Sequence, residues 1–309
     1  MTFADFMDTA LFDPEVGYYT ARRERVGKAG TSDFYTASTF VGVFGPLVAA
    51  AAEKLIGGAT TAKEHVFVEI GAEPGGFVLA GVPHAFGGTD CLRLGDSCEI
   101  PSRAVVFSNE LFDAQPFHRL VWRTDSWREA GVALQGEELR WVDMPELSLE
   151  IRSIEAALPA RSEDGYILDV PWRAVGMLET IAASGWRGLF LAFDYGRTWG
   201  QICEEFPQGT GRAYAVHRQS GDLLAQPGGQ DLTCHVCWDW LESALRGAGF
   251  DAVCRESQEA FFVKHATSAI EAIIRSEPSP LSPRRSQLKH LLHPGIMGHR
   301  FEVLWGVRR

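Results

Sequence analysis

The chain has 309 residues, 46% hydrophobic and 22% charged, with a formal net charge of −11. That is enough apolar material to bury one large α/β domain, alone or with a smaller lobe, and it excludes a disordered or fibrous chain. An acidic surface repels phosphate backbones and anionic lipid, which argues against nucleic acid as a partner and favours a basic protein segment.

No apolar run reaches the roughly 18–20 residues of a membrane helix, and the stretch Met1 to Asp5 carries an acid and no basic residue. Neither a membrane span nor a secretory leader is expected, and the expected compartment is the cytoplasm. Six cysteines are too sparse for a disulfide scaffold. Cys234-His235-Val236-Cys237 has the spacing of half a zinc or redox site, but no second such pair completes it, so no metal is expected and the thiols are expected to be reduced.

In chain order, residues 1–36 are rich in turns, and a helix is predicted over Phe44–Leu55. His65–Ile70 is a β-rich apolar run that enters Gly71-Ala72-Glu73-Pro74-Gly75-Gly76. A strand, a glycine turn and then a helix would open a nucleotide-binding α/β unit. Ala104–Phe107 is a second buried strand, and residues 118–152 alternate like an antiparallel insertion. A helix over Ala174–Ser184 precedes a third buried strand, Gly188–Phe193. Trp238–Gly249 is an amphipathic helix, residues 276–285 are a proline-rich linker, and Phe301–Trp305 alternates like a last strand. Continuous apolar strands separated by helices predict a mostly parallel sheet. Residues 1–60 are expected to form an N-terminal lobe packed on an α/β domain of residues 61–309.

Four separated blocks resemble the MidA-type family of class I S-adenosylmethionine (SAM) methyltransferases, whose mitochondrial relatives help assemble respiratory complex I. The first block runs from Phe6-Met7 through Leu11–Pro14 to Gly17-Tyr18-Tyr19, then Asp33-Phe34-Tyr35-Thr36 and Phe44-Gly45. The second is Glu69-Ile70-Gly71 to Gly75. The third is Ser108-Asn109-Glu110-Leu111-Phe112-Asp113-Ala114-Gln115-Pro116. The fourth is Asp194-Tyr195-Gly196, Gly211–Tyr214, His217, Pro227-Gly228 and Asp231–Val236.

The resemblance implies a Rossmann-like class I methyltransferase sheet, SAM as cofactor and a protein arginine as acceptor. It places Glu69, Gly71 and Gly75 at the amino-acid end of the cofactor, Asp96 at the adenine, and Asp33 and Thr36 in a lid. Asn109, Glu110 and Asp113 would hold and orient the acceptor, because fixed carboxylates pair bidentately with a guanidinium. Helix capping is an equally good role for Asp113, and turn capping for Asp96.

Two features depart from the family pattern. Glu73 stands where a glycine is usual, with Pro74 after it, which adds a charge and removes an N–H donor beside the cofactor carboxylate. Only 28 residues separate Gly76 from Ala104, where three helices and two strands need about 43 before loops. The cofactor half is therefore expected to be shortened, with the second strand and its ribose-binding acid the missing part. Two functional outcomes stay open: methyl transfer to a protein side chain, or a non-catalytic assembly member of the family that has lost SAM.

Overall fold

The computed structural model describes residues 1–20, 40, 42–72, 76–215 and 218–309. Helix α1 (Phe3–Phe12) is followed by α2 (Phe44–Leu55) and the short α3 (Ala59–Ala62). Strands β1 (Val66–Ile70), β2 (Gly88–Leu92) and β3 (Arg103–Asn109) come next, then β4 (His118–Arg123), β5 (Ser126–Gln135) and β6 (Glu138–Asp143). The chain continues through α4 (Leu149–Ser153), β7 (Ile167–Val170), α5 (Trp172–Ala183), β8 (Arg187–Asp194), β9 (Gly196–Arg197) and α6 (Trp199–Glu205). After β10 (Arg212–Ala215), β11 (Arg218–Ser220), β12 (Asp231–Thr233) and β13 (Val236–Cys237) come α7 (Trp238–Gly247) and β14 (Asp251–Ser257). Helices α8 (Gln258–His265), α9 (Thr267–Ser276) and α10 (Pro283–Leu292) lead to β15 (Glu302–Arg308).

The central sheet has the order β14-β15-β8-β3-β1-β2. β2, β1, β3 and β8 are mutually parallel, and β15 runs antiparallel between β8 and β14. The three strands expected to be central and parallel from their apolar runs are so placed. α2 and α8–α10 cover one face, on Phe67, Val105, Phe107, Leu191 and Phe193. α5 and α7 cover the other, on Val68, Ala104, Val106 and Phe190. The antiparallel insertion extends past residue 152, because β7 completes its sheet in the order β6-β5-β4-β7. α1 packs on this insertion. The expected linker is shorter than 276–285: Ser276 ends α9, and Ser282 caps α10 with Pro283 at its first turn.

The cofactor half departs furthest from expectation. No helix occurs among the described residues between β1 and β2 or between β2 and β3. Gly76, Gly81 and Pro83 explain the first absence: they leave no uninterrupted window for a helix to nucleate. The crossover lies on α2 instead. Gly45 makes this possible, because any Cβ there would collide with the Val78 carbonyl. Phe77, Val78, Leu79 and Phe86 then pack in the core around Phe67, doing the covering that a helix would do. Glu53 fixes the loop by accepting the Ala85 N–H at 2.7 Å.

The position of the missing strand also needs correction. β2 pairs directly with β1, so the second place in the sheet is filled and the outer edge is the place left empty.

Candidate active site

The C-terminal ends of β1, β3 and β8 converge on the expected site, as open α/β sheets place ligands beyond these ends. Glu69 is buried on β1 and accepts the Val78 N–H at 2.6 Å. It therefore ties down the loop after β1 rather than presenting its charge outward. Burial pushes its carboxyl up to about 7. Gly71 follows with φ +80, a conformation that favours glycine, and a Cβ there would lie 2.8 Å from Leu111 Cδ1.

Asp96 lies exposed in the turn beyond β2, where its carboxylate accepts the Arg93 N–H at 2.8 Å. The turn-capping role is thus the one observed. Asp96 thus lies beyond the C-terminal end of a strand that pairs with β1, on the side of the sheet where ligands bind. Asp90 lies inside β2 and accepts the Cys91 N–H at 2.8 Å. Gly75, Asp33 and Thr36 lie outside the described residues, as do Glu73 and Pro74.

The acceptor side is better defined. Asn109 ends β3, opposite Phe193 of β8. Glu110 follows with φ +52 and donates its N–H to the Phe193 carbonyl at 2.8 Å. A left-handed backbone at a non-glycine residue costs about 1–2 kcal/mol. Here it coincides with a half-buried carboxylate that accepts the Asn109 side-chain N–H at 3.1 Å.

Asp113 is buried close behind, and Asp194, at the end of β8, is buried beside it. Asp194 accepts the N–H groups of Phe112 at 2.9 Å, Asp113 at 3.3 Å and Tyr195 at 2.8 Å. Asp194 thus caps the turn after β3, and the Asp113 carboxyl adds to this through the amides of Ala114 and Asp113.

Residues distant in sequence complete the pocket. Tyr19 donates its hydroxyl to Asp231 Oδ1 at 2.9 Å. Burial, and then the charges of Asp231 and Asp113, hold the Tyr19 hydroxyl far above its usual range. Tyr214 is raised by burial and then by Asp113, with Asp231 and Glu110 adding to the shift and Arg212 opposing it. Three carboxylates thus act on one tyrosine hydroxyl, which makes the site strongly electronegative. Burial, and then Arg197, pushes His235 down to about 4, so its imidazole is uncharged at neutral pH.

Tyr19, Tyr214 and Thr233 were not singled out from the sequence. The only signal for them was their place inside the resemblance blocks. Among the described residues no group of three His, Cys, Asp or Glu side chains could hold a metal. All six cysteines are free thiols.

The sheet order, its antiparallel strand between β8 and β14, and a site at the strand ends define a class I methyltransferase fold. The family of S-adenosyl-L-methionine-dependent methyltransferases matches residues 94–254, more than half of the chain, and the protein belongs to this family. It is a divergent, MidA-type member. A superfamily member from Burkholderia thailandensis, solved bound to S-adenosyl-homocysteine, superposes with a TM-score of 0.85 at 25% identity, over 100% of this chain and 88% of that one. A second structure from that organism shows the same fold, with a TM-score of 0.79 at 23% identity over 100% and 87% of the two chains.

The protein arginine methyltransferase NDUFAF7 homolog, mitochondrial, of Drosophila melanogaster is 26% identical over 213 residues, 65% of this chain and 46% of that protein. The mitochondrial protein arginine methyltransferase NDUFAF7 of Xenopus laevis is 27% identical over 205 residues, covering 63% and 44%. The match spans less than half the length of these two relatives. Among the described residues no helix is long and apolar enough to cross a membrane.

Glu69 gives a stability prediction. An acid whose pKa is higher folded than unfolded adds stability below its unfolded value, and that stability is lost as the pH rises to the folded value. For Glu69 the window runs from 4.5 to about 7, worth on the order of 3 kcal/mol. Glu69→Gln keeps an acceptor for the Val78 N–H and removes the titration. Melts at pH 5 and pH 8 should show the variant gaining on the parent at pH 8. An equal difference at both values would place the titration elsewhere.

Proposed function

We propose that this protein is a SAM-dependent methyltransferase whose acceptor is a protein side chain, arginine by preference. The observation that carries the reading is Glu110, held on a left-handed backbone beside Asn109 within an acidic, aromatic pocket. A guanidinium offers five N–H donors and no acceptor. Carboxylates are its natural partners, and holding it between them fixes its orientation for in-line attack. The two NDUFAF7 relatives are named as protein arginine methyltransferases, which supports the same acceptor.

The described residues offer the cofactor two groups: Gly71, whose left-handed backbone suits a turn at its amino-acid end although Leu111 lies against it, and Asp96, an exposed acid beyond β2 that could accept a hydrogen bond from its adenosine. By resemblance, Gly75, Asp33 and Thr36 would complete that half. When bound, the cofactor supplies an electrophilic methyl group. Glu110 and Asn109 orient the attacking nitrogen, and the buried aromatic walls exclude water.

A second reading, a binding member of the family that has lost SAM, is favoured by one observation: no helix follows β1, and Leu111 packs against Gly71. A helix N-terminus near an anion contributes up to about 2 kcal/mol, so its absence should weaken cofactor binding roughly tenfold. Calorimetry with SAM, followed by mass spectrometry of an arginine peptide incubated with both, tests the proposal. Binding and a 14 Da gain, about one methylene, support it. Absence of SAM binding at millimolar concentration would establish the second reading instead.

A further inference from the structure

The acceptor pocket rests on two carboxyl groups whose charges have no cation to balance them among the contacts described. Asp113 and Asp194 are 3% and 0% exposed. Asp194 Oδ2 accepts the amide of Asp113 itself, so the two carboxyls belong to one turn. Their environments differ. Asp194 takes three backbone N–H groups, which stabilise a carboxylate. Asp113 Oδ1 is buried with no hydrogen-bond partner. The Tyr195 hydroxyl, 2.7 Å from Thr233 Oγ1, and the amides of Ala114 and Asp113 serve the Asp113 carboxyl and favour its ionised form, but burial outweighs them.

Further acids and tyrosines gather around the pair. Glu110 lies on the same loop as Asp113, Tyr19 follows α1, Tyr214 is on β10, and Asp231 is on β12. Cys234, whose N–H donates to the Asp113 carbonyl at 2.9 Å, is itself held as a thiol by burial. Arg212 acts on Tyr214.

We propose that Asp113 and Asp194 share a single proton at neutral pH and that a bound guanidinium displaces it, so that acceptor capture is coupled to proton release. Two buried carboxyls side by side cannot both ionise without a counter-charge. An entering guanidinium is that counter-charge, and the displaced proton leaves to buffer. Burial supports this by pushing Asp113 up to about 6 and, with the charge of Asp113, holding Asp194 above the usual carboxylate range. Asp194 acts through Asp113 and is a positioning residue.

The inference rests on the arginine-acceptor reading above, and calorimetry can separate the two. The full chain is titrated with a short glycine–arginine peptide, acetylated and amidated at its ends so that no α-amino group titrates, at pH 7 in two buffers of different ionisation heat. Guanidinium does not titrate in this range, so any released proton comes from the protein. The expected result is release approaching one proton per peptide, with affinity rising up to tenfold per pH unit between 6.5 and 8. Asp113→Asn and Asp194→Asn should each bind the peptide without proton release. Binding by the unaltered protein without release overturns the inference and leaves the arginine reading standing, as does undiminished release by both variants. No peptide binding at all overturns both.

Discussion

Glu110→Gln should lower kcat/KM for methyl transfer to an arginine acceptor at least hundredfold while moving the melting temperature by no more than a degree or two. A charge-assisted hydrogen bond to a guanidinium contributes about 1.5–3 kcal/mol, and losing the orientation of the attacking nitrogen adds to that. The side chain is half-buried, and a glutamine of the same shape keeps an oxygen to accept the Asn109 N–H, so the fold should tolerate the change. Glu110→Gly separates the two contributions further. It removes the same carboxylate and also relieves the left-handed backbone at φ +52, so it should be equally inactive and slightly more stable. If both variants melt well below the parent, Glu110 is holding the turn and the acceptor role falls.

Asp169→Ala should be the most destabilising substitution, costing about 3–5 kcal/mol and lowering the melting temperature by roughly 10 °C. Asp169, on β7, is 1% exposed and pairs in bidentate fashion with Arg119 of β4 at 2.8 and 3.0 Å. It also accepts the N–H groups of Thr210 and Gly211, each at 2.7 Å. Its removal strands a buried guanidinium and two amides together. Arg119→Met should cost less, because those two N–H groups still support the Asp169 charge and the methionine thioether can occupy the place of the guanidinium over Phe3 and Trp141. Thermal melts of the two variants decide the matter: a greater loss in Arg119→Met would mean that packing, not the stranded charge, dominates.

The strands that organise the site were readable because they are continuous apolar runs, as Val105-Val106-Phe107 and Leu189–Phe193 show, and burial on both faces demands such runs. β2 was not readable as a strand. It lies at the sheet edge, and Thr89 and Asp90 are exposed, so its pattern is close to that of a loop. β14 is similar: it begins with exposed Asp251 and Ala252 and bulges before Cys254.

The strand-to-glycine motif predicts a helix after Gly76, but Gly76, Gly81 and Pro83 oppose one, and none forms among the described residues. In the candidate site, Asn109, Glu110 and Asp113 are legible together because they lie close in sequence at the end of β3 and just after it. Tyr19 and Asp231 were not assigned roles there, because their meeting depends on folding across 212 positions. The double environment of the two buried carboxyls is likewise a tertiary property, since an aspartate's neighbours in sequence do not report which amides face it.

The helix-free crossovers also change how cohesion is distributed through the molecule. β3 and β8 lie under helices on both faces, whereas β2 depends on its backbone ladder with β1 and on a few loop side chains. Local opening of the β2 edge should therefore require far less free energy than global unfolding. Because the loops that border this edge would also border a ligand at Gly71 and Asp96, occupancy and local order become one equilibrium. Any ligand bound there stabilises the closed edge by RT ln(1 + [L]/Kd), and part of its intrinsic affinity is consumed in ordering those loops. In this protein the strength of the cofactor site is thus a thermodynamic property of a sheet margin as much as of the residues that touch the ligand.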